Sequence, residues 1–383
     1  MASIVKRDNG MWRARYRDSS GKEHARHFER KADGERWLRG EQSKVDTGDW
    51  RDPARGRTSV GEWSQGWLEG QLQLKPSTRQ RYAGILRIQV DPTWASVPLS
   101  SVGHAAVQKW VIAMSASGLA GSSVRQAHRV LSLVLALAVR DQRISSNPAD
   151  GVKLPKAVKS DKQFLTADQV AQLADAAGQG HRNVAPTELA QRRLIVLTLA
   201  YTGLRFGELA ALRVRRVDLM RRRLEIVASV TEVNGVATFG TPKSGRERSV
   251  PFPRFLTDDL TALVAGKGPE DLAFTAPEGG VLRLMGFRRR IFDRAAKVAG
   301  LPGLTPHELR HTAASLAIAS GANVKDVQRM LGHAQASMTL DVYAGLFEDG
   351  LDDVSDRMDG LARAAADSLR TGGQIVPIRS GTA

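Results

Sequence analysis

A stretch without apolar periodicity occupies residues 145–162 of this sequence. It opens with Ser145-Ser146-Asn147-Pro148, continues through Gly151 and Pro155, and ends in a lysine-rich run at Lys162. Such a composition is typical of a linker, because it offers no apolar face that a helix or strand could bury. The 383 residues are enough for two or three domains. The sequence therefore predicts a multidomain protein with a boundary in this stretch.

The charge balance limits the kind of partner. The net charge is +16, which indicates a polyanion, most simply nucleic acid, although an anionic membrane surface would satisfy the charge as well. No apolar run reaches the roughly 18 residues of a membrane span, and the first residues lack the apolar core of a signal peptide. The absence of cysteine excludes disulfides and thiolate metal sites, and it fits a reducing cytoplasm.

The first 45 residues have the pattern of a small separate module. Residues 12–17 alternate with period two, turn signals flank them, and residues 32–45 have helical character. The two alternating sets are Trp12, Ala14 and Tyr16 on one side and Arg13, Arg15 and Arg17 on the other. This pattern predicts a three-stranded sheet backed by a helix. The arginine stripe favours contact with a DNA major groove, and a solvated sheet face is the alternative.

Residues 58–150 have the pattern of a compact four-helix domain. Ser59 and Glu62 form a capping box at the start of its first helix, and the second helix is predicted to end before Pro92. This second predicted helix spans residues 77–90, and the third and fourth span residues 105–116 and 122–140. Five arginines on this domain could contact phosphates, or could simply face solvent. They are Arg79, Arg81, Arg87, Arg125 and Arg129.

The rest of the chain mixes helical and strand patterns. Thr166 opens a helix, and residues 189–201 are apolar enough for a buried one. Residues 224–227 and 248–251 have strand character around a hairpin, and helical patterns return from Leu284 onward. The whole sequence therefore predicts a multidomain, mainly α fold with small β-sheets, of the α+β class.

The C-terminal segment differs in charge from the rest. Residues 350–370 carry five aspartates in a chain that is otherwise basic. We expect an acidic helix here to pack on protein rather than on phosphates. The last dozen residues are expected to form a loose tail.

Arg205 follows Thr202-Gly203 at a predicted helix start. A phosphate bound there would meet both the guanidinium fork and free backbone N–H groups. Glu208, one turn later, is expected to orient the site rather than to act as a base. The alternative interpretation of Arg205 is a surface charge at a helix end.

Residues 305–311 combine helix-start signals with candidate catalytic side chains. Thr305 is the predicted N-cap, Pro306 occupies the first helical position, and Glu308 completes a capping box. His307 and Arg310, three residues apart, then share a face at the positive end of the helix.

Residues 307–311 also match the zinc-protease pattern H-E-x-x-H. The capping box already accounts for Glu308, and the match lies in a first turn rather than in the middle of a helix. The sequence therefore favours an anion site without a metal over a zinc site.

Three further polar residues complete the set. Lys243 lies in a turn-like basic segment, residues 241–246, and His333 follows Gly332, a predicted helix stop. Tyr343 is the only tyrosine after Arg205. A lone histidine or tyrosine is more often structural than catalytic, so only the ordered set as a whole indicates a catalytic site.

The ordered set resembles that of the tyrosine recombinase family. Its members here are Arg205, Lys243, His307, Arg310, His333 and Tyr343. The modular layout is similar to the temperate-phage integrase branch. The resemblance covers essentially the whole chain and is most specific in the catalytic half. It implies that Tyr343 attacks a DNA phosphate, which gives a 3′-phosphotyrosyl bond and a free 5′-hydroxyl.

The resemblance also assigns roles to the other members. Arg205 and Arg310 would clamp the non-bridging oxygens, and His333 would donate a further hydrogen bond. His307 would be the general base for a phenol whose ordinary pKa is about 10, and Lys243 the general acid for the departing 5′-oxygen. His311 would be supporting or structural. No metal, ATP or other cofactor is implied.

The resemblance further implies a domain layout and partners. The layout is an arm-type DNA-binding domain with its linker (1–57), a helical core-binding domain (58–150), a linker (151–163), a catalytic domain (164–360) and a tail (361–383). Four protomers would assemble on double-stranded DNA with core-type and arm-type attachment sites. A host DNA-bending factor and an excisionase are possible partners, and no membrane is expected. The expected location is the cytoplasm of a bacterial host, at the nucleoid.

Two other functions share parts of this pattern. A type IB topoisomerase uses the same chemistry without strand exchange, and the N-terminal module argues against it. A DNA-bridging protein without catalysis would not need all six polar positions. The sequence therefore favours a site-specific integrase.

Overall fold

The structure is a computed structural model, and it describes residues 2–48, 50–52, 54–156, 163–180, 184–243, 245–346 and 350–370. The chain folds into two compact units, Met1–Ser160 and Asp161–Ala383. Each unit is mainly helical with small antiparallel sheets, which confirms the predicted mainly α, α+β class. One core lies under the N-terminal sheet, a second among the helices that follow, and two lie in the second unit.

The N-terminal module is a three-stranded sheet with one helix. The strands β1 (Ser3–Lys6), β2 (Trp12–Arg17) and β3 (Glu23–Phe28) are antiparallel with β2 central, and α1 (Lys31–Asp46) packs on one face. Ala14 and Tyr16 are buried in a core with Leu38, while Arg15 and Arg17 face solvent, so the predicted alternation is confirmed. Trp50, in the predicted linker, donates its ring N–H to the Tyr16 hydroxyl over 2.6 Å and so belongs to this core.

The helices of residues 54–156 surround a second core. They are α2 (Val60–Glu69), α3 (Pro76–Ile85), α4 (Asp91–Trp94), α5 (His104–Ala116) and α6 (Gly121–Arg140), with short 3₁₀ turns at Arg55–Arg57 and Leu99–Ser101. The Ser59 hydroxyl accepts the Glu62 backbone N–H, as expected of an N-cap. Val124, Leu131 and Leu135 give α6 a buried face at helical spacing.

The predicted helix end before Pro92 is wrong. A π-helical turn, Leu86–Val90, leads directly from α3 into α4, with Pro92 in the first turn of the latter. The π turn changes the hydrogen-bond spacing, and a first-turn position does not need the N–H that proline lacks.

The second unit is built around a large helical core. Its first helices are α7 (Ala167–Ala177), α8 (Pro186–Thr202), α9 (Phe206–Ala210) and α10 (Thr257–Val264), followed by α11 (Leu284–Phe287), a π turn (Arg288–Phe292) and α12 (Asp293–Val298). Short 3₁₀ turns lie at Val214–Arg216 and Arg254–Leu256. Thr166 and Gln169 form a reciprocal capping box at α7, as the helix start predicted there requires.

Two small sheets lie between α9 and α10. The strands β4 (Val217–Asp218), β5 (Arg223–Ile226) and β8 (Arg248–Pro251) form one sheet, and β6 (Ser229–Val233) with β7 (Val236–Gly240) forms a hairpin between β5 and β8. The predicted strand pair around a hairpin is therefore confirmed. Lys243 lies in the connection from β7 to β8.

The last helices are α13 (Glu308–Ala319), α14 (Val324–Leu331), α15 (Ser337–Tyr343) and α16 (Gly350–Arg370), with a 3₁₀ turn at Ala344–Leu346. The predicted first position at Pro306 is wrong, because α13 begins at Glu308. The Thr305 N–H donates to the Glu308 carboxylate over 2.6 Å, and the Glu308 N–H returns to the Thr305 carbonyl. Residues 305–307 therefore form a tight turn ahead of the helix.

The helix α16 continues past residue 360, the predicted end of the catalytic domain. The side chains of residues 355–369 are exposed in the single chain, so these residues do not make the expected contacts with the rest of the protein. The predicted tail after residue 370 lies outside the described residues. Within the described ranges, no helix is both long and apolar enough to cross a membrane.

Candidate active site

The break between α8 and α9 positions Arg205. Gly203 ends α8 in the left-handed region, with φ of 65°, and a Cβ there would lie 2.6 Å from a Leu331 methyl group. Both the conformation and the space therefore require glycine. The chain turns sharply, and Arg205 becomes the N-cap residue of α9. The predicted helix start after this arginine is confirmed.

Arg310 fastens the ends of two helices. Its side chain is on the buried face of α13, and the residue is 3% exposed. One terminal nitrogen donates to the Gly203 carbonyl over 2.6 Å and the other to the Leu331 carbonyl over 2.5 Å. Burial, and then the charge of Arg205, lower the pKa of Arg310 to about 9, which leaves the guanidinium charged at neutral pH.

Glu208 connects two further arginines. It is 1% exposed, and its carboxylate accepts the backbone N–H of Arg205 over 3.0 Å and a guanidinium N–H of the same residue over 2.9 Å. Arg248 adds two parallel hydrogen bonds, of 3.0 and 2.6 Å. Burial would raise the pKa of Glu208, but the hydrogen bonds and charges of Arg248 and Arg205 outweigh it and lower the pKa. Glu208 therefore holds the side chains of Arg205 and Arg248 together, and its role in orienting the site stays a prediction.

Arg248 was missed by the sequence analysis. Its side chain is 8% exposed, and its Nε donates to the Met330 carbonyl at the end of α14 over 3.1 Å. It therefore joins β8, α9 and α14. The signal was present in the alternation of β8, where Arg248 shares a face with the buried Val250. An arginine on a buried face requires a buried acceptor.

The two histidines of the predicted set lie within reach of the arginine charges. His333 is half-buried, with Nδ1 3.0 Å from the Thr339 hydroxyl. Burial, followed by the charges of Arg310 and Arg205, lowers the pKa of His333 to about 4, so the ring is neutral at pH 7. Partial desolvation, then the charges of Arg310, Arg205 and Lys243, lower the pKa of His307. Lys243 itself is exposed.

Tyr343 is buried beside this cluster. It is 2% exposed and lies in a small core with Ala314, Val327 and Leu331. Its hydroxyl is 2.7 Å from Nδ1 of His311, one helical turn after His307 on α13. Burial raises the pKa of Tyr343 to about 12, and the charge of Arg310 opposes that shift. A phenol with this pKa needs a base if it is to attack at neutral pH.

The structure thus brings the six predicted catalytic positions into one region of the second unit. The charges of Arg310 and Arg205 lower the pKa of both histidines, and the charge of Lys243 also lowers the pKa of His307. The charge of Arg310 opposes the rise in the pKa of Tyr343 that burial causes. Arginine donors, neutral imidazoles and a phenol can bind a phosphate and attack it. Within the part of the chain that the structure describes, no group of three or more His, Cys, Asp or Glu side chains is placed to hold a metal ion.

The predicted DNA-binding arginines lie in the first unit, away in sequence from this cluster. Arg13 and Arg15 share the Glu23 carboxylate, at 3.2 and 3.5 Å, and Arg17 donates to the Gly21 carbonyl. The arginines of the helical part lie on the exposed surface of α3 and α6, apart from Arg87, which lies on the exposed side of the π turn after α3. They are Arg79, Arg81, Arg87, Arg125 and Arg129.

Known proteins resemble this chain in sequence. Residues 163–349 match the Phage integrase family. Tyrosine recombinase XerC of Mycobacterium sp. (strain JLS) is 32% identical over 275 residues, which cover 68% of this chain and 86% of the relative. The integrase of Mycobacterium phage FRAT1 is 28% identical over 325 residues, covering 80% of this chain and 92% of the relative.

Solved structures show the same fold. A lambda integrase tetramer bound to a Holliday junction matches with a TM-score of 0.58 at 19% identity, covering 87% of this chain and 96% of that one. The sequence identity to the mycobacterial recombinase, over most of its length, is the finding that decides the family. The chain belongs to the phage integrase family of tyrosine recombinases, enzymes that cleave and rejoin DNA strands.

Proposed function

We propose that this recombinase joins the DNA of a phage or another mobile element to a host site, and excises it again, through a 3′-phosphotyrosyl intermediate. The observation that carries the proposal is the position of Tyr343 near the buried Arg310, whose charge, together with that of the half-buried Arg205, also acts on His307 and His333. That arrangement fits a phosphate in the process of being attacked.

The reaction has two transesterification steps. The Tyr343 oxygen attacks the scissile phosphorus, the bond from phosphorus to the 5′-oxygen breaks, and the phosphate remains on the tyrosine. A 5′-hydroxyl from the partner strand then attacks the phosphotyrosine and releases the phenol. The bond energy is kept in the covalent intermediate, so the chemistry needs neither ATP nor a metal ion.

Each polar side chain has a role in that scheme. Arg205 and Arg310 neutralise charge on the non-bridging oxygens, and neutral His333 donates a hydrogen bond to one of them. Lys243, exposed on the connection from β7 to β8, protonates the departing 5′-oxygen. A histidine at the N-terminal end of α13 takes the phenolic proton, and the family resemblance assigns that role to His307.

The domain layout predicted above gives each part a DNA partner. The N-terminal sheet (1–57) binds arm-type sites through Arg13, Arg15 and Arg17, and the helical domain (58–150) binds core-type sites with the arginines of α3 and α6. The linker (151–163) precedes the catalytic domain (164–360). The net charge of +16 supports these contacts with a polyanion.

The active assembly is a tetramer on DNA, as in the lambda integrase structure. The exposed apolar side chains Met358, Leu361 and Leu369 of α16 support docking of this helix on a neighbouring protomer. The segment after this helix is the tail predicted from the sequence. A host DNA-bending factor and an excisionase would set the direction of the reaction. The protein would act in the bacterial cytoplasm, at the nucleoid.

A nicked suicide duplex tests the proposal. The duplex carries the attachment site, taken from the direct repeats that flank the element. The wild-type chain should form a covalent DNA adduct and exchange strands, in the presence of a chelator, and Tyr343→Phe should form no adduct. Relaxation of supercoiled DNA without strand exchange would identify a type IB topoisomerase. A wild-type chain that forms no adduct, or a Phe variant that still forms one, would contradict the proposal.

A further inference from the structure

The hydroxyl of Tyr343 has a specific partner on α13. Nδ1 of His311 lies 2.7 Å from that oxygen, within ordinary hydrogen-bond distance. The His311 and Tyr343 rings are 5.8 Å apart between centroids and tilted by 55°. This contact joins residues 32 positions apart in the sequence, so no local pattern reveals it.

The Tyr343 hydroxyl has a titratable partner in otherwise apolar surroundings. Tyr343 lies in a small core with Ala314, Val327 and Leu331, and its hydroxyl lies 2.7 Å from Nδ1 of His311. A phenol can donate to an imidazole nitrogen only when that nitrogen carries a lone pair, that is, when His311 is neutral with its proton on Nε2. The geometry therefore fits a Tyr343 hydroxyl that donates to Nδ1.

His307 is placed differently. Its ring is nearly perpendicular to that of His311, with centroids 5.3 Å apart, and it occupies the N-cap position just before α13. It is exposed, and the charges of Arg310, Arg205 and Lys243 act on it. These are the groups expected around the phosphate, so His307 is suited to contact with a phosphate oxygen.

We propose that His311, rather than His307, is the base that accepts the Tyr343 proton. The proposal rests on the recombinase function above and reassigns one role within it. As the bond from the Tyr343 oxygen to phosphorus forms and the bond to the 5′-oxygen breaks, the phenolic proton moves to Nδ1 of His311. Lys243 supplies the proton of the leaving 5′-hydroxyl. In the rejoining step, His311 returns its proton to the departing phenol.

Protonation of His311 before attack would block this step. The titratable groups placed against it include His307 just before α13, Tyr343 on α15 and His333 after α14, on which the charge of His311 acts, and the charged Arg310 is its neighbour in the chain. Since a protonated imidazole cannot accept a proton, the rate of adduct formation should fall on the acidic side of the pH profile, and that fall should depend on residue 311.

The test measures the single-turnover rate of adduct formation on the suicide duplex across pH. His311→Gln, which can hold a hydrogen bond but cannot titrate, should slow cleavage by about 10²–10⁴-fold and lose the acidic fall. His307→Gln should slow cleavage but keep the acidic fall. His104→Gln on α5 is the matched control, expected to match the wild type. Non-covalent DNA binding and melting temperature report whether each variant is folded.

A substrate with a bridging 5′-sulfur separates the base from the acid, because a thiolate leaves without protonation. The sulfur should restore cleavage by Lys243→Ala but not by His311→Gln. The proposal is overturned if His311→Gln cleaves within a few-fold of the wild type, if the sulfur restores it, or if His307→Gln is the variant that loses the acidic fall. The last outcome decides the matter even where His311 variants do not fold. A wild-type chain without any adduct would instead overturn the recombinase proposal itself.

Discussion

Arginines of the two units occupy opposite environments. Arg13 and Arg15 lie at the surface of the N-terminal sheet and share one carboxylate, that of Glu23. Arg248 and Arg310 in the second unit are buried, and their hydrogen bonds go to the Glu208 carboxylate and to backbone carbonyls at helix ends. A surface arginine is available to a phosphate and contributes little to folding. A buried one is part of the fold, so its position is set before DNA arrives.

The largest expected effect comes from a substitution that breaks the buried ion pair between Arg248 and Glu208. Arg248→Met leaves Glu208 charged and buried with one partner fewer, and should destabilise the second unit by about 3–5 kcal/mol. All seven tryptophans lie before residue 161, so tryptophan fluorescence reports the first unit, while calorimetry and circular dichroism report both.

The matched control is Arg193→Met, which removes exposed ion pairs with Asp175 and Asp259 and should cost at most about 1 kcal/mol. The fluorescence transition should stay in place in both variants. If Arg248→Met shifts no transition by more than the control does, the distinction between buried and exposed arginines has no energetic basis.

Arg310→Lys tests the catalytic side of the comparison. The single nitrogen of an ammonium group cannot reproduce the planar fork whose two terminal nitrogens donate separately to the Gly203 and Leu331 carbonyls. Cleavage of the suicide duplex should fall by about 10²–10³-fold, the usual loss for one transition-state donor. Arg193→Lys should cleave like the wild type. Equal rates for the Arg310 and Arg193 variants would show that the planar fork is not needed.

A smaller effect should appear as pH dependence of stability. The pKa of His333 is about 4 in the folded chain, below its ordinary value of about 6.5. As pH falls, the unfolded chain is protonated first, so the second unit should lose stability between about pH 6.5 and pH 4. His333→Asn should flatten that dependence in denaturant titrations. A wild-type curve that is already flat would contradict the shift.

The smallest effect concerns the arginine stripe of the N-terminal sheet. Arg13→Gln and Arg15→Gln should leave the fluorescence transition unchanged and weaken binding to arm-type duplexes. For each phosphate that the variant no longer neutralises, the slope of log K against log salt should become shallower by about 0.9. Binding isotherms at several salt concentrations measure this slope. A slope that does not change would show that the stripe is a solvated sheet face.

Local rules predicted much of the fold from the sequence. Period-two alternation predicted the faces of the β2 side chains correctly, the helix start predicted at Thr166 is that of α7, and the predicted helix stop at Gly332 ends α14. The errors also have local causes. A π turn allows the helix to continue through Pro92, and a tight turn at residues 305–307 moves the start of α13.

The candidate site required more than local rules. The ordered set of six polar residues was found by resemblance, but their supporting contacts were not. Arg248 reaches Glu208 across 40 positions, and Arg310 reaches Gly203 across 107. Pairing at such separations is decided by packing of whole helices, which no spacing in the sequence reports. The partner of the Tyr343 hydroxyl was hidden for the same reason.

Gly203 has a consequence for how the chain can vary. It has no side chain to contribute, yet a single methyl group there would collide with Leu331 and disturb the carbonyl that Arg310 holds. Saturation mutagenesis of the whole chain should therefore find position 203 among the least tolerant. Descendants of this protein would be free to change many larger residues before they could change this one.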